Sequence, residues 1–182
     1  LGTSALENNT ASYNTAIGSS ALQSNTTASN GTAVGAYSLY INTTGADNTS
    51  LGGFAMRLNT TGSFNTAVGR ESLYSNSTAS YNTAVGYQAG YSNTEGARNV
   101  ALGSFSLDAN TTGTQNTAVG YQSLSSVVSG NYNTAVGDEA LFSNTGDNNT
   151  AVGNDALYTN TTASNNTAVG YQAGLSNTTG TN

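Results

Sequence analysis

The chain repeats one pattern of apolar and polar positions about every 17 residues. If each copy is numbered from the first residue of its "NTAVG" segment, full copies begin at Asn14, Gly31, Asn48, Asn65, Asn82, Asn99, Asn116, Asn133, Asn149 and Asn166. The spacing is 17 residues throughout, except for 16 between Asn133 and Asn149, and a partial copy occupies residues 1–13. Because helical repeat units are about twice as long, a period this short is typical of a solenoid or a fibre.

Positions two to four of each copy predict a short β-strand. Position two is Thr except at Val100, position three is Ala except at Ser50, and position four is always aliphatic. β-Branched residues on either side of a small one favour a pleated, half-buried strand. Since Val replaces Thr at position 100, we expect the Thr and aliphatic side chains to face the interior. The Ala side chains would then face a neighbouring surface.

Position five is Gly in every full copy, which predicts a turn with positive φ or a close approach of two backbones. Together with the preceding Val, this Gly defines a candidate structural ladder. The ladder comprises Val34, Gly35, Val68, Gly69, Val85, Gly86, Val119, Gly120, Val136, Gly137, Val152, Gly153, Val169 and Gly170.

A second apolar group occupies positions eight and nine, as Ala or Ser followed by Leu or Met. It predicts a second strand or a turn in each coil. At Gly90 and Gly174 the Leu is missing, and we expect Tyr91 and Leu175 to take over its apolar role. The consensus of positions eleven to seventeen, "SNTTGSN", is polar and rich in turn-forming residues, which predicts an outer loop.

These elements together predict an all-β fold, a parallel β-roll or β-solenoid of 17-residue coils that forms a single domain over residues 1–182. Recurrent Gly and β-branched residues oppose a helix. Coils stacked at about 4.8 Å would align the Asn residues of positions one and twelve into hydrogen-bonded ladders. One coil buries too few apolar side chains to offset its ordering. We therefore expect a core shared between chains, in a homotrimer before a dimer, with a monomeric solenoid as the alternative.

Composition excludes several function classes. The chain has no Lys, His, Cys, Trp or Pro. It contains three Arg and nine carboxylates, which give a net charge of −6. Such a chain lacks the basic surface that nucleic acid requires. It has no apolar run of about 20 residues, so we expect no membrane insertion. Without His, Cys or Lys, the hydroxyls of Ser and Thr have no ordinary activating base beyond a carboxylate, so we expect neither enzymatic activity nor a cofactor.

Two groups of carboxylates are the remaining candidates for chemistry. Glu139 and Asp155 share position seven of adjacent coils and lie near Asp138 in the sequence. Stacking would separate these two carboxylates by about one strand spacing. This is close to the separation of the two carboxylates in a retaining glycosidase, but a solvated acidic patch is the favoured interpretation. Asp147 is a candidate Ca²⁺ contact, because Ca²⁺ binds carboxylate oxygens.

Aromatic residues supply candidate contacts with other molecules. Tyr87, Tyr121 and Tyr171 each precede a Gln at the same position of the repeat, and we treat them as candidate contacts to host-surface glycans or receptors. The alternative is that they cover an edge or pack at a chain interface. Arg57 lies at position ten between Tyr40 and Tyr74 of neighbouring copies, which predicts a cation–π stack.

"NTAVG" followed after two residues by "AL" resembles the "SVAIG"-type repeat in YadA-like heads of trimeric autotransporter adhesins. The 17-residue consensus is also similar to repeat segments of bacteriophage tail fibres, and the resemblance covers the whole chain. It implies a left-handed parallel β-roll in a trimer, located at a cell surface or on a virion. Because the adhesin-head repeat is shorter than 17 residues, the outer loop here must be longer.

The leading hypothesis for function is a structural and adhesive fibre segment, a rigid extracellular spacer of a phage tail fibre or a bacterial adhesin. Glycan binding along its side is one alternative. Ice binding is another, and it requires the Thr ladder of position two or thirteen to face solvent on a flat sheet. The expectation that Val100 marks an interior face weighs against ice binding.

Overall fold

A computed structural model describes residues 2–180 and shows a parallel β-solenoid. Each full copy of the repeat contributes one strand of three residues, and the 10 strands form one sheet in chain order. The strands are β1 Thr15–Ile17, β2 Thr32–Val34, β3 Thr49–Leu51, β4 Thr66–Val68, β5 Thr83–Val85, β6 Val100–Leu102, β7 Thr117–Val119, β8 Thr134–Val136, β9 Thr150–Val152 and β10 Thr167–Val169. No helix occurs between residues 2 and 180. The all-β class and the stacked coils are confirmed, whereas the predicted domain bounds Leu1 and Asn182 lie outside the described residues.

Equivalent positions of successive copies pair with each other. Thr66 pairs with Thr83 and Val68 with Val85, and the register is the same along the whole sheet. The 16-residue copy keeps this register, since Val136 still pairs with Val152. Its missing residue is therefore absorbed outside the strand, in the loop that the sequence predicts.

The strand faces are the reverse of the expected arrangement. Ala33, Ala67 and Ala118 of position three are fully buried, whereas Thr and aliphatic side chains of positions two and four point outward. Ile17 and Val169, near the two ends of the sheet, are 54% and 69% exposed. The Leu column of position nine and two columns of Asn already fill the narrow coil, which leaves room for little more than a methyl group beside them.

Positions eight and nine form a turn. The Leu or Met of position nine has φ between 45° and 53° in the full copies, and position seven is also left-handed. This conformation costs about 1–2 kcal/mol for a residue other than Gly. Burial of the Leu side chain at a few per cent exposure or less offsets that cost.

The two Gly residues at position nine adopt the same left-handed conformation, with φ of 61° at Gly90 and 63° at Gly174. A Cβ atom on Gly90 would lie 3.0 Å from Leu73 Cδ2, so the Leu of the preceding coil occupies the space beside it. Tyr91 and Leu175 remain partly exposed. The expectation that these two residues replace the missing Leu is therefore wrong.

Two buried ladders of Asn side chains run along the solenoid, as the sequence predicts. In the column of position twelve, Asn59 Nδ2 donates to Asn42 Oδ1 at 2.7 Å and to Gly62 O at 3.0 Å. In the column of position one, the backbone N–H of Asn82 donates to Asn65 Oδ1 at 2.9 Å. These bonds satisfy amide groups that would be costly to bury alone. The predicted outer loop thus contributes two positions to the interior in most copies, the Asn of position twelve and the Gly or Ala of position fifteen.

Val127 interrupts the ladder of position twelve. It is fully buried but has no amide to donate to the preceding coil. Asn110 Oδ1 is consequently buried without a hydrogen-bond partner. An unpaired buried acceptor costs about 1–3 kcal/mol.

Gly86→Ala is expected to lower the thermal unfolding midpoint strongly, because φ of Gly86 is 138° and a Cβ atom would lie 2.6 Å from the carbonyl carbon and oxygen of Gly103. The loss should be at least about 2 kcal/mol. Circular dichroism melting measures it. Gly53→Ala is the matched control, since its Cβ would meet nothing nearer than 4.0 Å, and equal losses in both variants would contradict the role of the close approach.

Val127→Asn is expected to stabilise the fold by about 1 kcal/mol, because the new amide would donate to Asn110 Oδ1 and complete the ladder. Differential scanning calorimetry would show a higher midpoint. Val128→Asn changes the adjacent residue, which is 48% exposed, and should leave the midpoint nearly unchanged. A midpoint for Val127→Asn at or below that of this control would rule out the ladder explanation.

Candidate functional site

The outward side of the sheet is a regular surface that runs along the molecule. We call it the Thr/aliphatic face and define it as positions two and four of β1 to β10. Val34, Val68, Val85, Val119, Val136, Val152 and Val169 of the candidate structural ladder lie on it, and the ladder Gly residues follow at its edge. In-register pairing aligns the Thr residues in one column and the aliphatic residues in another. The face therefore presents methyl and hydroxyl groups at one strand spacing along the rod.

The hydroxyl groups of this face are free. Within residues 2–180, the Thr side chains of position two make no hydrogen bond. Position thirteen differs, since Thr43 Oγ1 donates to Thr60 O at 3.0 Å and Thr60 Oγ1 donates to Ser77 O at 3.0 Å. Val100 lies half-buried on the Thr/aliphatic face like most of its Thr neighbours. Valine at this position thus fits an outward face, and the expected interior location of the column is wrong.

A group of three aromatic rings lies beyond the glycine turn, on the side of the rod. Tyr87 and Tyr121 occupy position six of two coils separated by one intervening coil, and they are 40% and 48% exposed. The intervening coil places Ser104 at position six and Phe105 next to it. The Phe105 ring lies 5.3 Å from that of Tyr87 and 6.2 Å from that of Tyr121, at interplanar angles of 90° and 86°. The structure therefore joins two of the three predicted tyrosines into one cluster.

The third predicted tyrosine, Tyr171, is separate from this cluster. The position-six residues of the two preceding coils are Asn154 and Asp138, and Tyr171 is 71% exposed. Phe105 was missed by sequence reasoning, because its copy has Ser104-Phe105 in place of the Tyr-Gln pair that identified the other candidates. Its position in the column of Gln88 and Gln122 was the signal that could have found it.

The Gln residues that follow these tyrosines differ in their partners. Gln88 Nε2 donates to Glu71 at 2.7 Å, and Gln172 Nε2 donates to Asp155 at 3.2 Å. In each case the acceptor is the position-seven residue of the preceding coil. For Gln122 the equivalent residue is Phe105, whose side chain cannot accept a hydrogen bond. The side-chain amide of Gln122 therefore makes no hydrogen bond in the described part of the chain.

Arg57 is held within an aromatic group, which confirms the predicted cation–π stack. Its guanidinium carbon lies 5.8 Å from the ring centroids of Tyr40 and Tyr74, and equally near those of Tyr37 and Phe54. Arg57 Nη1 also donates to the Tyr74 hydroxyl at 2.6 Å. These contacts occupy the cation with its neighbours, so it serves packing between coils.

Glu139 and Asp155 line a cavity of about 310 Å³ together with Tyr158 and Leu175. The Asp155 carboxylate already accepts hydrogen bonds from the amides of Gln172 and Asn154, at 3.2 and 3.1 Å. These bonds favour a structural acidic patch over a catalytic pair.

The carboxylates of Asp147 and Asp108 are also engaged by the fold. Asp147 Oδ1 accepts the Asn131 backbone N–H at 2.7 Å. Burial raises the pKa of the Asp108 carboxyl, while the Ser125 hydroxyl, at 2.7 Å, acts in the opposite direction. Residues 2–180 contain no group of three or more acidic, His or Cys residues that could hold a metal ion.

Comparisons with protein-family models, curated proteins and solved structures find no match to this chain. The described residues also include no helix long and apolar enough to cross a membrane. The Thr/aliphatic face and the aromatic cluster around Phe105 are the two candidate contact surfaces of the chain.

Proposed function

We propose that this chain is a rigid spacer segment of an extracellular fibre, at a cell surface or on a virion, and that it assembles as a homotrimer through the Thr/aliphatic face. The observation that carries the proposal is the continuous row of outward aliphatic side chains along all 10 strands. The YadA-like and tail-fibre resemblance supports the choice of three chains and an extracellular location.

Rigidity follows from the ladders between coils. Backbone pairing of the strands, the two Asn columns and the position-thirteen hydroxyls all connect each coil to the next. Nine intervals between 10 strands give a stack about 43 Å high at the usual strand spacing. A segment of this kind holds whatever it carries at a fixed distance.

Assembly through the Thr/aliphatic face follows from its exposure. Val85 and Val136 are 39% and 36% exposed in the single chain, and no residue at position two or four is charged. An exposed row of apolar side chains without charged residues is typical of an interaction site. The Ala column that suggested chain contact from the sequence is buried inside each coil, so the aliphatic column replaces it as the proposed interface.

Val85→Lys combined with Val136→Lys is expected to convert a three-chain particle into single chains, because the interface would bury two charges per chain without partners. Multi-angle light scattering measures the mass. Thr61→Lys with Thr112→Lys is the matched control on exposed loop positions, where the equivalent residue of another copy is Glu95. A wild-type mass of one chain, or a trimer that survives the Val substitutions, would contradict the proposed assembly.

Ice binding is the second candidate, favoured by one specific observation. The position-two Thr column faces outward on a regular parallel sheet, and its hydroxyls are free of hydrogen bonds within residues 2–180. A row of methyl and hydroxyl groups at one strand spacing can order water at its surface. The same face cannot be buried between chains and bind ice, so the two candidates exclude each other.

If the chain binds ice, the wild type is expected to show thermal hysteresis as a single chain, and Thr83→Lys should abolish it by interrupting the Thr column. Nanolitre osmometry measures the freezing hysteresis. Thr61→Lys, on the exposed loop, should retain the activity. A wild-type protein without hysteresis at millimolar concentration would eliminate this candidate.

A further inference from the structure

The sequence contains a single Asn-Gly pair, Asn30 and Gly31. The pair exists because Gly31 occupies position one, where every other full copy has Asn. The side-chain amide of Asn is thermolabile, and a following Gly has no Cβ to hinder attack on that amide by the next backbone nitrogen. This pair is therefore the candidate site in the chain for spontaneous deamidation.

Deamidation at this pair needs no enzyme and no reactant other than water. The backbone nitrogen of Gly31 gives up its proton to a base in the solvent and attacks Cγ of Asn30, which closes a succinimide ring. The side-chain nitrogen of Asn30 takes up a proton and leaves as ammonia. Water then opens the ring at one of its two carbonyl carbons and leaves Asp or isoaspartate at residue 30.

The fold holds the attacking nitrogen in place. Gly31 is buried, and its backbone N–H donates to Asn14 Oδ1 of the preceding coil at 2.7 Å. This hydrogen bond must break before the N–H can lose its proton to solvent. The Asn30 side chain is exposed, but its Nδ2 donates to Asp47 Oδ1 of the following coil at 2.9 Å. The Asp47 carboxylate disfavours the negative charge that attack would place on the Asn30 amide.

Two other Asn residues share the local structure of Asn30. Asn148 and Asn165 also lie directly before position one, are exposed and have positive φ, at 57° and 64° compared with 59° for Asn30. The backbone N–H that follows each of them donates to an Asn of the preceding coil, at 2.9 and 3.0 Å. In both cases the following residue is Asn, whose side chain hinders the attack. Only Gly31 distinguishes the reactive pair from these two.

Deamidation would damage the coil in two ways. The new carboxylate would face that of Asp47, and like charges directly opposite each other are destabilising. Isoaspartate would also lengthen the backbone by one atom directly before β2. Gly31 O accepts the Thr15 N–H at 2.8 Å at this point, and Thr32 N–H donates to the next coil at 2.9 Å. A lengthened backbone cannot make both bonds in the same register.

We propose that Asn30–Gly31 is a spontaneous modification site that is kept closed by the hydrogen bond from Gly31 N–H to Asn14 Oδ1. Separation of the first two full coils opens the site, and deamidation then prevents these coils from closing again in register. The proposal goes beyond the fibre function and does not depend on the trimer, because one chain supplies every group involved.

Incubation of the full chain at mildly alkaline pH, folded and in guanidinium chloride, tests the proposal. Peptide mapping by mass spectrometry locates the converted residues, and isoaspartyl methyltransferase detects isoaspartate. In denaturant, Asn30 is expected to convert before Asn148 and Asn165. In the folded chain, conversion of Asn30 should be at least about tenfold slower than in denaturant, because the coils must first separate.

Asn14→Ala is expected to speed conversion of Asn30 in the folded chain by about fivefold, the factor that corresponds to the loss of one hydrogen bond. Asn9→Ala is the matched control. It removes the side-chain oxygen that accepts from Asn14 Nδ2 at 2.9 Å but leaves the bond to Gly31 N–H, so the rate should remain nearly unchanged. Circular dichroism would show that both variants remain folded.

Three results would overturn the proposal. The first is conversion of Asn30 at equal rates in the folded and the denatured wild type, a comparison that needs neither variant. The second is equal acceleration by Asn14→Ala and Asn9→Ala, which would assign the effect to general loosening of the coil. The third is conversion of Asn148 or Asn165 as fast as that of Asn30 in denaturant.

Discussion

Each coil must stack on the next at the spacing of a parallel strand, so the nearest axial neighbour of almost every residue is its own counterpart one copy away. A column of this type is stable only when identical side chains in successive coils interact favourably with each other. Asn does so through its amide, Thr through a hydroxyl and a carbonyl, and Tyr by ring stacking. Like charges repel, and Glu71 and Asp155 are each followed one coil later by a Gln that donates to them, although Glu139 and Asp155 themselves share a column in adjacent coils. The low charge of the chain fits its axial repetition.

The same constraint explains why the composition resembles that of a flexible linker. Much of the interior is amide rather than hydrocarbon, since Asn residues at two positions of the repeat are buried with Ala and Leu. An amide can be buried without penalty when each donor and acceptor has a partner, and the column supplies that partner in every coil. Hydropathy therefore underestimates how much of this chain lies inside.

Several features could be predicted from the sequence because they depend on the repeat spacing alone. The stacked coils, the recurrent Gly turn and the Asn ladders follow from which residues share a column. Which face of the strand points inward does not follow from the spacing, because alternation over only three residues fits either orientation. Val100 favoured the wrong orientation. Leu in a left-handed turn was also beyond prediction, since backbone preference assigns that conformation to Gly. The aromatic cluster around Phe105 could be found only by comparing neighbouring copies, which places Tyr87, Phe105 and Tyr121 on successive coils.

The interruptions of the two Asn columns have a mechanical meaning. Gly31 breaks the column of position one and Val127 breaks that of position twelve, in the second and the seventh of the ten full copies. Asn42 and Asn116 keep the other column intact in those same coils. A tensile load along the rod is shared by both columns and the strand pairing, so at each interruption it passes to the column that remains. No full copy lacks both residues, and the rod therefore has no cross-section at which its buried side-chain connections fail together.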